Sequence, residues 1–142
     1  MEEKCCSSDI FMANGLRITK PRQAIMEQII TFGKPFSAND IFESLLQKDS
    51  YDLVTIYRFI NLLNKKGIVR QITECEGKQY FEMACCHNPL HPHFVCSHCH
   101  KISCLNNLSV EDFIKISSYA PNVQTKEMKI VLGGICENCK NV

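Results

Sequence analysis

The chain has no tryptophan, and no histidine precedes position 87. No apolar run approaches the eighteen or so residues that a membrane-spanning helix needs, so no transmembrane segment is read. Neither sign of charge is in excess: the net charge is +1, which argues against a bulk, nonspecific nucleic-acid binder. No internal repeat and no low-complexity segment interrupts the 142 residues, a length suited to one domain or two small ones. The opening "MEEKCCSSDIF" lacks the charged-then-apolar build of a signal peptide, so a cytoplasmic location is expected. Thiols stay reduced there, which disfavours a disulfide framework for the ten cysteines and favours metal binding or redox chemistry.

What is present is concentrated. The stretch "ACCHNPLHPHFVCSHCHKISCL", residues 84–105, holds all five histidines and five of the ten cysteines. Two more cysteines follow in "GGICENCKNV".

The first half reads as helices. "TKPRQAIMEQIITFG" has Thr19 as a cap, Pro21 in the first turn, Ile25, Met26, Ile29 and Ile30 at helical spacing, and Gly33 as a stop. "SANDIFESLLQK" begins with Ser37 and, three residues on, Asp40, close to a capping box; Ile41, Phe42, Leu45 and Leu46 form its buried face. "DLVTIYRFINLLNKKG" can be capped by Asp52 and stopped by Gly67. Ile56, Phe59, Ile60 and Leu63 share one side of it, while Thr55, Arg58, Asn61 and Lys65 follow roughly the other. "GIVRQITE" and "KQYFEMA" then read as strands joined at "CEGK". Three helices and a hairpin in that order describe a winged helix-turn-helix, in which one helix enters the DNA major groove. The polar side of the third helix also fits a merely solvated face. "GLRITKPR" adds Arg17, Lys20 and Arg22 with no acid among them.

The second half is shorter: strand-like "HFVC" and "KISC", a helix "SVEDFIKISSYA" capped by Ser109 with Phe113, Ile114 and Ile116 partly inward, and a strand within "VQTKEMKIVLGGIC". So small a unit cannot bury much core alone and calls for metal staples or a partner subunit.

Two metal constellations are expected here. Cys96-x-x-Cys99 and Cys136-x-x-Cys139 provide two tight turns and four thiolates, the donor set of a structural zinc site. A redox dithiol would want a surrounding βαβ unit, which the pattern lacks. The second set is Cys86, His91, His93 and Cys104, with Glu82, Cys85 and His87 as further candidates. His91-x-His93 on a strand would place both rings on one face, and Cys104 would lie on the neighbouring strand. Two sulfurs and two imidazoles suit zinc over an all-oxygen metal.

The stretches "GLRITKPRQAI", "FSANDIFESL", "VTIYRFINLLNKKGIV", "HPHFVCSHCHKI" and "GICENC" together resemble the ferric uptake regulator superfamily over nearly the whole chain, most like its zinc uptake regulator branch. The resemblance implies an α+β protein: a winged-helix DNA-binding domain over residues 1–83, a hinge over 84–92, and a small α/β dimerisation and metal-binding domain over 93–142 with a four-cysteine zinc site. It implies a homodimeric repressor, not an enzyme, that binds a palindromic double-stranded DNA operator when a regulatory metal is bound, with neither membrane nor small-molecule substrate involved. It places Tyr57 and Arg58 at recognition-helix positions and Arg17 in the minor groove.

The regulatory positions depart from the family pattern. The usual histidine before the third helix is replaced by "GKPFSAND", where Pro35 cannot coordinate. Glu82 matches the hinge carboxylate of iron-sensing members, His91 and His93 match the family's histidines, and Cys104 stands for the usual acid on the next strand. Leu90 and Pro92 stand where an additional histidine-rich site would be. One structural zinc and one regulatory zinc per subunit are expected, with iron or manganese as the alternative regulatory metal. The regulatory metal would act by fixing the loop 84–92. An iron-, manganese- or peroxide-sensing repressor is the nearest alternative function. A thiol redox protein or a zinc enzyme is a distant one, since no substrate pocket can be read. Cys5 and Cys6 are expected to lie in a mobile N-terminus.

Overall fold

A computed structural model describes residues 5–46, 48, 51–85 and 87–141. The chain divides into two compact units, Met1–Asn88 and Pro89–Val142.

The first unit carries four helices and a hairpin: α1 (Ser7–Ala13), α2 (Lys20–Phe32), α3 (Ala38–Leu45), α4 (Leu53–Lys65), β1 (Val69–Cys75) and β2 (Lys78–Met83). The expected caps form. Thr19 accepts from Arg22, Asp52 accepts from Thr55, and Ser37 and Asp40 make a reciprocal capping box. Gly33 takes the left-handed conformation that ends α2. Ile25, Met26, Ile29, Ile41, Ile56, Ile60 and Leu63 lose essentially all solvent contact and weld α2, α3 and α4 together. Each such side chain contributes about 1.5–3 kcal/mol by burial. Leu46 departs from its expected place: it lies past the last turn of α3 and is exposed.

The sequence pattern does not announce helix α1. It is seven residues long, and its N-cap Cys6 makes no side-chain cap. Phe11 holds it, buried and stacked on Phe59 of α4 at 6.1 Å between ring centroids. Cys5 and Cys6 lie just before this helix, outside any regular element.

The hairpin turns through Glu76 and Gly77, both at positive φ (53° and 73°), between the paired residues Cys75 and Lys78. That is the two-residue turn whose twist matches the strands. Phe36, between α2 and α3, pairs with Phe81 of β2 by two backbone hydrogen bonds of 2.9 and 2.8 Å. Their rings stack, so the wing is tied to the helices by a pairing 45 residues apart in sequence.

The second unit is a three-stranded sheet in the order β4-β3-β5, with β3 spanning His93–Cys96, β4 Ile102–Cys104 and β5 Val131–Gly134. Strand β4 runs antiparallel to β3, and β5 runs parallel to it. A parallel neighbour requires a crossover, and helix α5 (Val110–Ser118) lies in that connection. Its capping box joins Ser109 and Asp112 as the sequence suggests. The final strand is shorter than expected, because residues 124–130 form no regular structure. Phe113 is half-buried, but Ile114 and Ile116 point to solvent and no residue of α5 is buried.

Candidate metal centres

Cys96 ends β3, Cys99 follows on the turn His100 closes at φ 61°, Cys136 follows β5, and Cys139 ends a 3-10 turn, Glu137–Cys139. The β3–β5 pairing, with Cys96 opposite Gly134, brings the two halves together. One Sγ from each of the four cysteines lies within 4.8 Å of every other, and Cys99 Sγ is 3.8 Å from Cys136 Sγ. Four sulfurs about 2.3 Å from a tetrahedral zinc would themselves be spaced roughly 3.8 Å apart, so the donor set fits that ion.

The charges fit as well. Backbone N–H groups of Cys99 and Cys136 donate to Cys96 Sγ, and they lower its thiol to about 5. Cys139 moves the other way, pushed up to about 12, first by its hydrogen bond with Cys136 and then by burial. One thiolate is stabilised by the backbone and the next deprotonation is opposed, a conflict a divalent cation would remove.

The second group is within the same unit. His93 faces Cys104 directly across the β3–β4 ladder. His91 lies just before β3 instead of on it, yet its ring centroid is 4.5 Å from that of His93. A ligand atom from each of His91, His93 and Cys104 falls within 4.8 Å of the others. Both imidazoles are buried, while Cys104 is exposed. His91 Nδ1 is 2.8 Å from the Pro89 carbonyl, which can only accept, so Nδ1 carries a proton and Nε2 is the atom left to face a metal. Metal-ligating histidines use the same orienting bond. Two imidazoles and a thiol suit zinc or another borderline-soft ion.

Cys86 lies outside the described residues. Glu82 is buried on β2 in the first unit, and Arg70 Nε donates to its Oε1 at 2.7 Å. Arg70 also donates to the Asn88 carbonyl at 2.8 Å, and Asn88 donates to the Met83 carbonyl, so one guanidinium braces the wing against the chain leaving it. Replacing Arg70 by methionine removes the guanidinium that pairs with the buried Glu82 carboxylate. We expect it to lower the stability of the first unit by about 2 kcal/mol, read from its urea midpoint. Cys85 and His87 gather with Cys5, a residue that no local spacing could have paired with them.

Of the DNA-facing candidates, Thr55, Arg58, Asn61 and Lys65 are all exposed on α4, opposite its buried face. Tyr57 is half-buried, its hydroxyl 3.4 Å from Asn39 Oδ1. Arg17, three residues before α2, and Lys20, its first residue, are exposed. Arg22 donates to the Arg17 carbonyl and lies over the Phe59 ring at 5.5 Å, stiffening that basic corner.

The ferric uptake regulator family model matches residues 13–132. A ferric uptake regulation protein from Staphylococcus epidermidis is 32% identical over 135 residues, spanning 92% of this chain and 92% of that protein. A peroxide-responsive repressor from the same species is 27% identical over 127 residues, spanning 89% of this chain and 83% of its own. The crystal structure of the Vibrio cholerae ferric uptake regulator superposes with a TM-score of 0.75 at 27% identity, covering 92% of this chain and all of that one.

Proposed function

The chain belongs to the ferric uptake regulator family, whose members are metal-responsive transcription regulators and not enzymes, and on that premise we propose that it is a zinc-responsive repressor. It would bind a palindromic operator as a homodimer when zinc occupies a site built on His91, His93 and Cys104. The observation that supports this most is the pairing of Cys104 with His93, which puts sulfur beside two imidazoles. The four-cysteine group would hold a second, structural zinc in each subunit. When bound, that ion would supply a fixed cross-link between the ends of β3 and β5. His91, two residues past Pro89, would restrict the connecting segment once held by metal.

We assign the division of labour accordingly: residues 1–83 to DNA, 84–92 to the hinge, and 93–142 to dimerisation and metal. Thr55, Tyr57, Arg58, Asn61 and Lys65 of α4 would face the major groove, with Arg17 in the minor groove and Lys20 also meeting the DNA. The homodimer reading draws on the exposed apolar side chains of the second unit: Val110, Ile114, Tyr119, Val123, Leu132 and Ile135. A single chain leaves such surface uncovered, and a second copy would bury it. For Arg58→Ala we expect operator affinity about 10-fold to 100-fold weaker, with a smaller salt dependence if Arg58 meets phosphate. Titration of labelled operator at two salt concentrations checks this.

An iron-, manganese- or peroxide-responsive repressor is the second reading. It draws on the buried carboxylate Glu82 and on the relatives named for iron and for peroxide. The deciding experiment counts metal per chain in reduced protein, before and after mild chelation, and assays operator binding on both samples. Loss of one zinc together with DNA binding, restored by zinc alone, supports the proposal. Restoration by iron or manganese instead transfers it to the second reading.

A further inference from the structure

The first unit contains a group of soft ligands that neither proposed zinc site uses. Cys5 Sγ lies 3.2 Å from Cys85 Sγ and 3.5 Å from His87 Nδ1. One ligand atom from each of the three falls within 4.8 Å of the others. Eighty residues separate Cys5 from Cys85, so the contact is a product of the fold and not of neighbouring positions. Cys5 and Cys85 are half-buried and His87 is exposed, which leaves the group open to an ion from solvent.

We infer that Cys5, Cys85 and His87 form a third metal site, for a thiophilic ion such as zinc. Two thiolates neutralise a divalent ion, and the imidazole adds a third ligand without charge. Binding releases the two thiol protons to solvent, and these three ligands leave a fourth position for water or for another ligand. A simple dithiol would need only the two sulfurs. The imidazole nitrogen at ligand distance from Cys5 is what points to a metal.

The position gives the site a consequence. Cys5 immediately precedes Cys6, the N-cap of α1, and α1 is held to α4 through Phe11 on Phe59. Cys85 and His87 follow β2, the second strand of the wing. A metal here fastens the start of α1 to the end of the wing, within the unit that carries the proposed DNA-facing helix.

The test uses reduced, full-length protein saturated with zinc and then desalted. The wild type is expected to retain three zincs per chain, Cys5→Ser two, Cys104→Ser two, and the double variant one. Zinc is further expected to protect Cys5 and Cys85 from alkylation in the wild type, with that protection lost in His87→Ala. Circular dichroism confirms that the variants fold; Cys5 lies outside every helix, so Cys5→Ser should. A Cys5→Ser protein that holds as much zinc as the wild type overturns the site. So does alkylation of Cys5 that zinc does not slow, or a Cys5–Cys85 disulfide forming in air with no third zinc ever bound. A Cys104→Ser protein that keeps all its zinc would instead count against the regulatory site and leave this one standing.

Discussion

Replacing Cys96 by serine is expected to remove one tightly held zinc per chain and to leave the second unit unable to dimerise. Cys96 is fully buried at the end of β3, the strand that both β4 and β5 pair with. Those strands are three or four residues long, and no side chain of α5 is fully buried within the chain. The unit therefore has little apolar burial of its own to offset the entropy of ordering it. Structural zinc in small domains binds with roughly 10–16 kcal/mol, most of it folding free energy. A serine hydroxyl cannot supply the charged donor that the N–H groups of Cys99 and Cys136 stabilise on Cys96. The first unit has its own core across α2, α3, α4 and the wing, so its helices should survive. Metal content, sedimentation and far-ultraviolet circular dichroism separate the outcomes. A Cys96→Ser protein that remains a dimer with unchanged zinc would sink the structural role.

Much of this arrangement is written locally. A cap, its partner three residues on, and a run of apolar residues at helical spacing specify α2, α3, α4 and α5. The two C-x-x-C turns specify a four-thiol group because each turn is a local structure, and the β3–β5 ladder only has to join them. Other features depend on partners distant in sequence. Helix α1 has too few apolar positions to show a period, and it exists because Phe59 waits for Phe11. The Phe36–Phe81 pairing adds a third element to the wing that no periodicity announces. The contact of Cys5 with Cys85 is of the same kind. The exposed side of α5 misleads in the opposite direction. Its apolar spacing predicts burial, yet Ile114 and Ile116 are exposed in the single chain; the proposed second copy would cover them.

Replacing His93 by alanine is expected to abolish the metal response of operator binding while leaving the four-cysteine zinc in place. His93 is buried, pairs with Cys104 across the ladder, and packs against the ring of His91. Its removal takes a buried imidazole donor from the group and should weaken zinc retention against a chelator. A ligand shifts a conformational equilibrium only by its differential affinity for the two states. If zinc favours the operator-competent state about 100-fold, that corresponds to about 2.7 kcal/mol, all of it lost with the site. The variant should then bind operator as the chelated wild type does, and added zinc should not improve it. Because His93 sits on β3 only three residues from Cys96, His93→Gln serves as the companion variant. It keeps a polar side chain of similar size while lacking the imidazole donor. Both variants should retain one zinc less than the wild type and remain dimers. Should either regain full operator affinity with zinc, His93 is not a regulatory ligand. If they respond to iron or manganese but not to zinc, the oxygen-donor reading through Glu82 replaces the one argued from Cys104.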